Sequence, residues 1–192
     1  MKPKVLVVVA HPDDETIWMG GTLLRNKDKW DTTIISLCRR DDKGRAPKFR
    51  KVCKIFRTKC FISNLEDEKL YDIPLDEVVK RIKKYSKKNY NYLFTHGKNG
   101  EYGHKRHIDV HNAITNMLDK KLLSAKKIFL FSYIKKGKLC YSNKNAKRFI
   151  KLDKTHFKNK RDIIKNVYGF DENSFEYLSS GKHEAFDRGG IK

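Results

Sequence analysis

Cysteine is sparse in this chain: four among 192 residues, with no two forming a CxxC pair or a close His/Cys cluster. That spacing argues against a structural zinc knot and suits free thiols in a reducing compartment. Long apolar runs are missing too, since no stretch approaches the ~20 residues of a membrane span. The opening "MKPKVLVVVAHPDD" carries an apolar run too short for a leader's core, and it ends in charge rather than in small residues. It is therefore expected to be a strand, and the protein to be soluble and cytoplasmic. Acidic residues are outnumbered: 23 Asp and Glu stand against 44 Lys and Arg, a formal charge of +21. Such an excess is either a lysine-coated surface reflecting an AT-rich genome or an attraction to an anionic partner, whether phosphosugar, anionic lipid or nucleic acid. No RNP-like aromatic pattern, helix-turn-helix signal or zinc finger accompanies it, so a nucleic-acid partner is not expected.

What is present is enough for a core. Hydrophobic residues make up 39% and aromatics 11%, and the length suits a single domain. Val5 to Ala10 is continuously apolar, the pattern of a strand covered on both faces. "DETIWMGGTLLRN" reads as a helix with acids at its start, "TTIISLC" as a second strand, and "RRDDKGRAP" as a mobile turn. A helix over "FRKVCKIF" and a short strand in "KCFISNLEDE" follow. "LDEVVKRIKKY" places Leu75, Val78, Val79, Ile82 and Tyr85 on one stripe with lysines opposite. That is a helix packed on a sheet; a membrane-surface helix is the weaker alternative, because large side chains are few on the apolar face. "YNYLFTHG", "HIDVHNAITNMLDKKL" and "KKIFLFSYI" continue as strand, helix, strand. The alternation predicts an α/β, Rossmann-like three-layer fold with a mostly parallel sheet, whose sites form at the carboxyl ends of its strands. Residues 1–135 would form the motif-bearing core of one domain over 1–192. The less regular tail, 151–192, would pack on it as an extension.

Two polar strings fall at such strand ends. "AHPDDE", Ala10 to Glu15, follows the first strand, and "THGKNGEYGHKRHIDVH", Thr95 to His111, follows "YNYLF". Three consecutive carboxylates repel one another unless a cation sits among them. Four of the seven histidines, at 96, 104, 107 and 111, lie in the second string. A catalytic zinc ion needs about three N/O ligands and an open water position. His11 and Asp14 stand three apart in a turn that Pro12 keeps out of helix, so both can face one ion while Asp13 faces its water. The third ligand should be a histidine of the second string. His107 is the first choice, His104 one turn earlier can reach the same cavity, and His107 with His111 is a rival pair on one helix face.

These strings resemble those of the LmbE/PIG-L family of zinc-dependent N-deacetylases, in order and spacing over residues 1 to about 135. The resemblance implies an LmbE-like fold and removal of acetyl from N-acetylglucosamine units linked to inositol, phosphatidylinositol, malate or other sugars. It implies one Zn2+ per chain held by His11, Asp14 and His107, with Asp13 as general base and His104 stabilising the transition state. Tyr102 matches a tyrosine that some members place near the oxyanion. Where the family usually has HPDH this chain has "HKRH", so Lys105 and Arg106 replace a proline and a carboxylate. That exchange is expected to put positive charge at the rim of the site and to tune or reduce activity.

The chemistry of the residues agrees. A zinc-bound water loses its proton near neutrality, Asp13 accepts it, and His104 as a cation, with Tyr102, would stabilise the oxyanion. Arg45 and Arg50, beyond the second strand, are candidates for a substrate phosphate or carboxylate. His183, in "SSGKHEAF", is a candidate for a substrate-side group folding over the pocket. The expected substrate is a small acetylated amino sugar, open to being anionic or linked to a lipid or glycoside; the chain is free to form a homo-oligomer. The competing readings are a family member that has lost catalysis and only binds sugar, and a basic nucleic-acid-binding protein.

Overall fold

β1 (Lys4–Val9) is hidden on both faces, as its unbroken apolar run requires. Val5, Val7 and Val9 join one core cluster, and Leu6, Val8 and Ala10 join the other. The computed structural model describes residues 1–190. After β1 come α1 (Asp14–Asn26), β2 (Asp31–Cys38), α2 (Arg45–Phe56), β3 (Lys59–Leu65), α3 (Leu75–Tyr85), β4 (Asn89–Thr95), the single turn α4 (Gly100–Gly103), α5 (Lys105–Asp119) and β5 (Ser124–Phe131). A hairpin of β6 (Tyr133–Lys136) and β7 (Leu139–Ser142) stands apart as its own small sheet. β8 (Arg148–Lys151), α6 (Lys154–Asp162) with a π-helical continuation over Ile163–Tyr168, α7 (Phe175–Ser179) and β9 (His183–Gly189) end the described chain.

The main sheet has seven strands in the order β3-β2-β1-β4-β5-β9-β8. β1 to β5 are parallel, and β9 lies antiparallel between β5 and β8. One face packs on α3 and α5, the other on α1, α2 and the π-helical segment, so the molecule has the expected three layers. The chain reverses its direction of growth between β1 and β4, and such a switch point opens a crevice at the strands' carboxyl ends. Register does the rest. Val8 pairs with Thr95, whose hydroxyl donates to the Val8 carbonyl at 2.9 Å. Residues 11 and 96, just past these ends, are thereby placed side by side.

The tail departs from the sequence reading. β8 and β9 are integral strands of the main sheet, and their short, mixed segments "RFIK" and "HEAFDRG" hide that alternation. The expected single strand "KKIFLFSYI" also divides, ending at Phe131 and restarting as β6 in a different sheet.

Candidate metal centre and catalytic site

α1 begins at the crevice because Asp13 turns the chain there. Its φ of 124° lies in the left-handed half of backbone space, where a non-glycine residue is strained. The Asp13 carbonyl accepts from the Thr16 and Ile17 amides and so opens the helix. Its amide donates to Glu15 at 3.0 Å, and Glu15 is held by the hydroxyls of Thr16 and Tyr168 at 2.6 and 2.7 Å. Glu15 is thus a buried brace for the turn rather than a solvated helix start.

His11, Asp14 and His107 converge. His11 Nδ1 lies 3.2 Å from His107 Nε2 and 3.2 Å from Asp14 Oδ2, and His107 Nε2 is 3.4 Å from that same oxygen. A tetrahedral ion with bonds of about 2.0–2.1 Å separates its ligand atoms by roughly 3.3–3.4 Å. This triangle therefore has the dimensions of one face of a zinc site. Two imidazoles and a carboxylate are also a donor set that suits zinc with a fourth position left open.

The outer nitrogens of both imidazoles are fixed by carboxylates. His11 Nε2 donates to Asp67 Oδ1 at 2.9 Å, and His107 Nδ1 donates to Glu101 Oε2 at 2.6 Å. Such carboxylate–histidine pairs set the tautomer and aim the free nitrogen at a metal. Asp14 is fixed as well, its two oxygens accepting from the Trp18 indole at 3.0 Å and the His11 amide at 2.8 Å. Burial works against charge on His11, yet hydrogen bonds to Asp14 and Asp67 outweigh it and lift the imidazole to about 10. Burial likewise opposes ionised Glu101, but His96 and His107 hold it down at about 2. The cluster could hold a cation between its carboxylates.

Asp67 and Glu101 were not singled out in the sequence. Glu101 sits in the recognised second string, whereas Asp67 follows β3 at the strand's carboxyl end, where fold logic alone could have flagged it. His96 also has a role that was not assigned. It is fully buried, stacks on His107 at 3.9 Å between centroids, and accepts the Ala10 amide on Nε2 at 2.9 Å while donating from Nδ1 to Glu101. His111 is not among the grouped donors of the cluster, and its Nδ1 donates to the His96 carbonyl at 3.0 Å.

Around the triangle is a cavity of about 210 Å³ lined by Asp13, Arg45, Tyr102, His104 and Phe175 among others. Burial and the neighbouring Asp14 push the Asp13 carboxyl well above the usual range, against the pull of Arg45 and His11. Arg45 reaches Asp13 Oδ2 at 3.1 Å and leaves the other oxygen uncommitted. His104 caps α5, and its Nδ1 accepts the Arg106 amide at 3.2 Å. The ring proton therefore sits on Nε2. Burial and the nearby His11 and His107 hold His104 down at about 4, so it is neutral at pH 7. A neutral ring offers an N–H donor in place of the expected cation. Burial keeps the Tyr102 phenol protonated.

Three further expectations fail on position. His183 stacks on Phe149 at 4.7 Å on the far pair of strands, among Lys144, Lys151 and Lys182, and is absent from the cavity. A β-pairing with Lys151 carries it there. Arg50 projects from the exposed side of α2 rather than into the cavity. The positive charge of "HKRH" does not reach the rim either. Lys105 pairs with Asp72, while fully buried Arg106 binds Asp109, Glu66 and the Tyr71 carbonyl. Arg106 so fastens the loop that carries Asp67.

Residues 6–118 match the family described as PIG-L, GlcNAc-PI de-N-acetylase. A segment of 42 residues is 40% identical to 1D-myo-inositol 2-acetamido-2-deoxy-alpha-D-glucopyranoside deacetylase 1 of Saccharopolyspora erythraea; it spans 22% of this chain and only 14% of that protein. Among solved structures, the fold is similar to N,N'-diacetylchitobiose deacetylase from Pyrococcus horikoshii, with a TM-score of 0.70 and 15% identity over 97% of this chain and 83% of that one. It is also similar to 4-carboxy-2-hydroxymuconate hydratase from Pseudomonas putida, with a TM-score of 0.68 and 11% identity over 100% of this chain and 98% of that one.

Proposed function

The chain belongs to the PIG-L family, and from that premise we propose that it is a zinc-dependent hydrolase removing acetyl from an N-acetylated amino sugar of the N-acetylglucosamine type. The observation that carries this reading is the His11–Asp14–His107 triangle with Asp13 beside it. The shared fold does not choose the reaction by itself, since a similar fold serves a hydratase. The family match supports it, and its span, residues 6–118, takes in all four of these residues.

A bound zinc ion would supply a water acidic enough to lose its proton near neutral pH. Asp13 would accept that proton on the oxygen Arg45 leaves free. Its raised proton affinity suits a group that must take a proton and then pass it on to the leaving amine. His104 donates Nε2–H, as a neutral imidazole, to the oxygen on which charge develops. Tyr102, protonated and edge-on to His104 with 5.6 Å between centroids, donates alongside it or closes the pocket over the acetyl group. Phe175, 5.0 Å from Tyr102, offers an apolar ring for the sugar face. Arg45 faces the remaining part of the substrate and would accept an anionic substituent. Acetate and a free amine are the products.

The reading of an impaired, sugar-binding member rested on "HKRH", and both replacements point away from the catalytic cavity. For the nucleic-acid reading the charge remains the sole motive. The test is acetate release from a panel of N-acetylated amino sugars with zinc-loaded protein. Asp13→Asn should lower kcat by about 10²–10⁴ while retaining one zinc per chain. Wild-type protein that takes up no divalent metal would overturn the proposal.

A further inference from the structure

α1 runs from Asp14, at the catalytic cavity, to Arg25, at a second cavity of about 270 Å³ that shares no lining residue with the first. The two residues stand eleven positions apart along α1, on either side of its break at Met19. The second cavity lies on the same face of the sheet as α1. Its wall is aromatic. Trp30 stands 5.7 Å from Tyr92 and 5.8 Å from Phe94, and Phe94 stacks on Phe129 at 4.8 Å. Trp30 and Tyr92 are only partly covered, so ring surface is offered to whatever enters.

The rim is cationic. Arg25, Lys127 and Arg148 line the opening, and no carboxylate lies among the lining residues. Among the described residues Lys127 and Arg148 form no ion pair, and Arg25 has one contact with Asp153, at 3.7 Å between half-exposed groups. A pair of that kind contributes little. Three like charges about one opening repel each other, and an anion relieves that repulsion. Arg148 already lies over the Phe129 ring at 5.5 Å, leaving its guanidinium edge free for a bidentate contact.

Size narrows the ligand further. Pockets for drug-sized ligands begin at about 300 Å³, so this one, at about 270 Å³, admits a small ring-bearing molecule with one charged group and not a polymer. We propose that this cavity binds a phosphomonoester carrying a planar ring, of the nucleoside monophosphate or aryl phosphate class. The ring stacks on the Trp30–Tyr92 wall, and the phosphate is held by Arg148 and Lys127. The proposal is independent of the catalytic reading.

Calorimetric titration with adenosine 5'-monophosphate, phenyl phosphate, adenosine and inorganic phosphate tests it, with tryptophan fluorescence reporting at Trp30. Both phosphomonoesters should bind, and adenosine and inorganic phosphate should bind roughly tenfold or more weakly. If only the nucleotide binds, the source is a nucleoside; if phenyl phosphate binds equally, the ring and the charge suffice. Lys127→Ala with Arg148→Ala, both exposed, should weaken binding by about tenfold or more and leave acetate release unchanged. Trp30→Phe should remove the fluorescence response, and Asp13→Asn should not alter binding. Inorganic phosphate binding as tightly as the nucleotide, full affinity in the double variant, or loss of affinity in Asp13→Asn would overturn the assignment.

Discussion

Asp13 and Asp14 are adjacent carboxylates with opposite fates, and single contacts decide which is which. Asp14 is surrounded by donors from His11, Trp18 and, through charge, His107, so burial fails to keep it protonated and its carboxyl lies well below the usual range. Asp13 is buried against Asp14 with one guanidinium in partial compensation, and its carboxyl rises. Under the proposed function Asp14 would stay ionised beside the metal and Asp13 would carry the proton. His104 shows the same logic. The Arg106 amide occupies Nδ1, and burial holds the ring at about 4. Because that value is depressed, the imidazole stays neutral throughout the range above about 5, and charge on His11 pushes in the same direction. Nitrogen-resolved NMR should therefore find the Nε2–H tautomer of His104 with no protonation between pH 5 and 8. His104→Ala should lower kcat by about 10²–10³ without removing a limb of the pH profile in that window. A His104 that titrates near 7 would restore the cationic role.

At the level of elements, the two strings were readable because each immediately follows a strong apolar strand, and strand ends collect sites in this class of fold. Asp67 was readable only from its place just past β3, and Glu184 was not readable, because its partners stand far away in sequence. The carboxylate of Glu184 joins β9 to a break in α1. Met19 leaves helical geometry at φ −147°, and Glu184 accepts the amides of Gly21 and Thr22, each at 2.8 Å. Fully buried Lys160 donates to the same carboxylate at 3.0 Å. The tail's mixed polarity hid this, since a glutamate in "HEAF" looks solvent-facing until its neighbours are known. Upstream of the break, Trp18 holds Asp14 through its indole, while its carbonyl accepts the Tyr133 hydroxyl at 2.6 Å. Glu184→Ala would strand two amides and a buried ammonium, a loss on the order of 3–5 kcal/mol. Chemical denaturation should show it. Lys160→Met combined with Glu184→Gln should cost less than the two single changes together, because no unpaired charge remains. Strict additivity would mean that the pair does not act as a unit.

The whole molecule sets a carboxylate-rich crevice within a lysine-rich surface of formal charge +21, a net charge that favours the approach of anions to the molecule as a whole. No helix among the described residues is long and apolar enough to cross a membrane. The family match stops at residue 118, yet the structure does not stop there. β9 covers the edge of β5 along Ile128 to Phe131, the Tyr168 hydroxyl braces Glu15 beneath the Asp13 turn, and Phe175 lines the cavity beside the His11–Asp14–His107 triangle. A chain ended after residue 150 would lose all three together with the Glu184 bridge. It would also expose the edge of a central apolar strand, a template for aggregation. Such a truncation should lack a cooperative thermal transition and should not retain stoichiometric zinc, although every proposed metal ligand remains. Circular dichroism melting and metal analysis after gel filtration measure both. If the truncated chain melts cooperatively within a few degrees of the full one and holds zinc, residues 151–190 are an accessory and not part of the fold that positions the site.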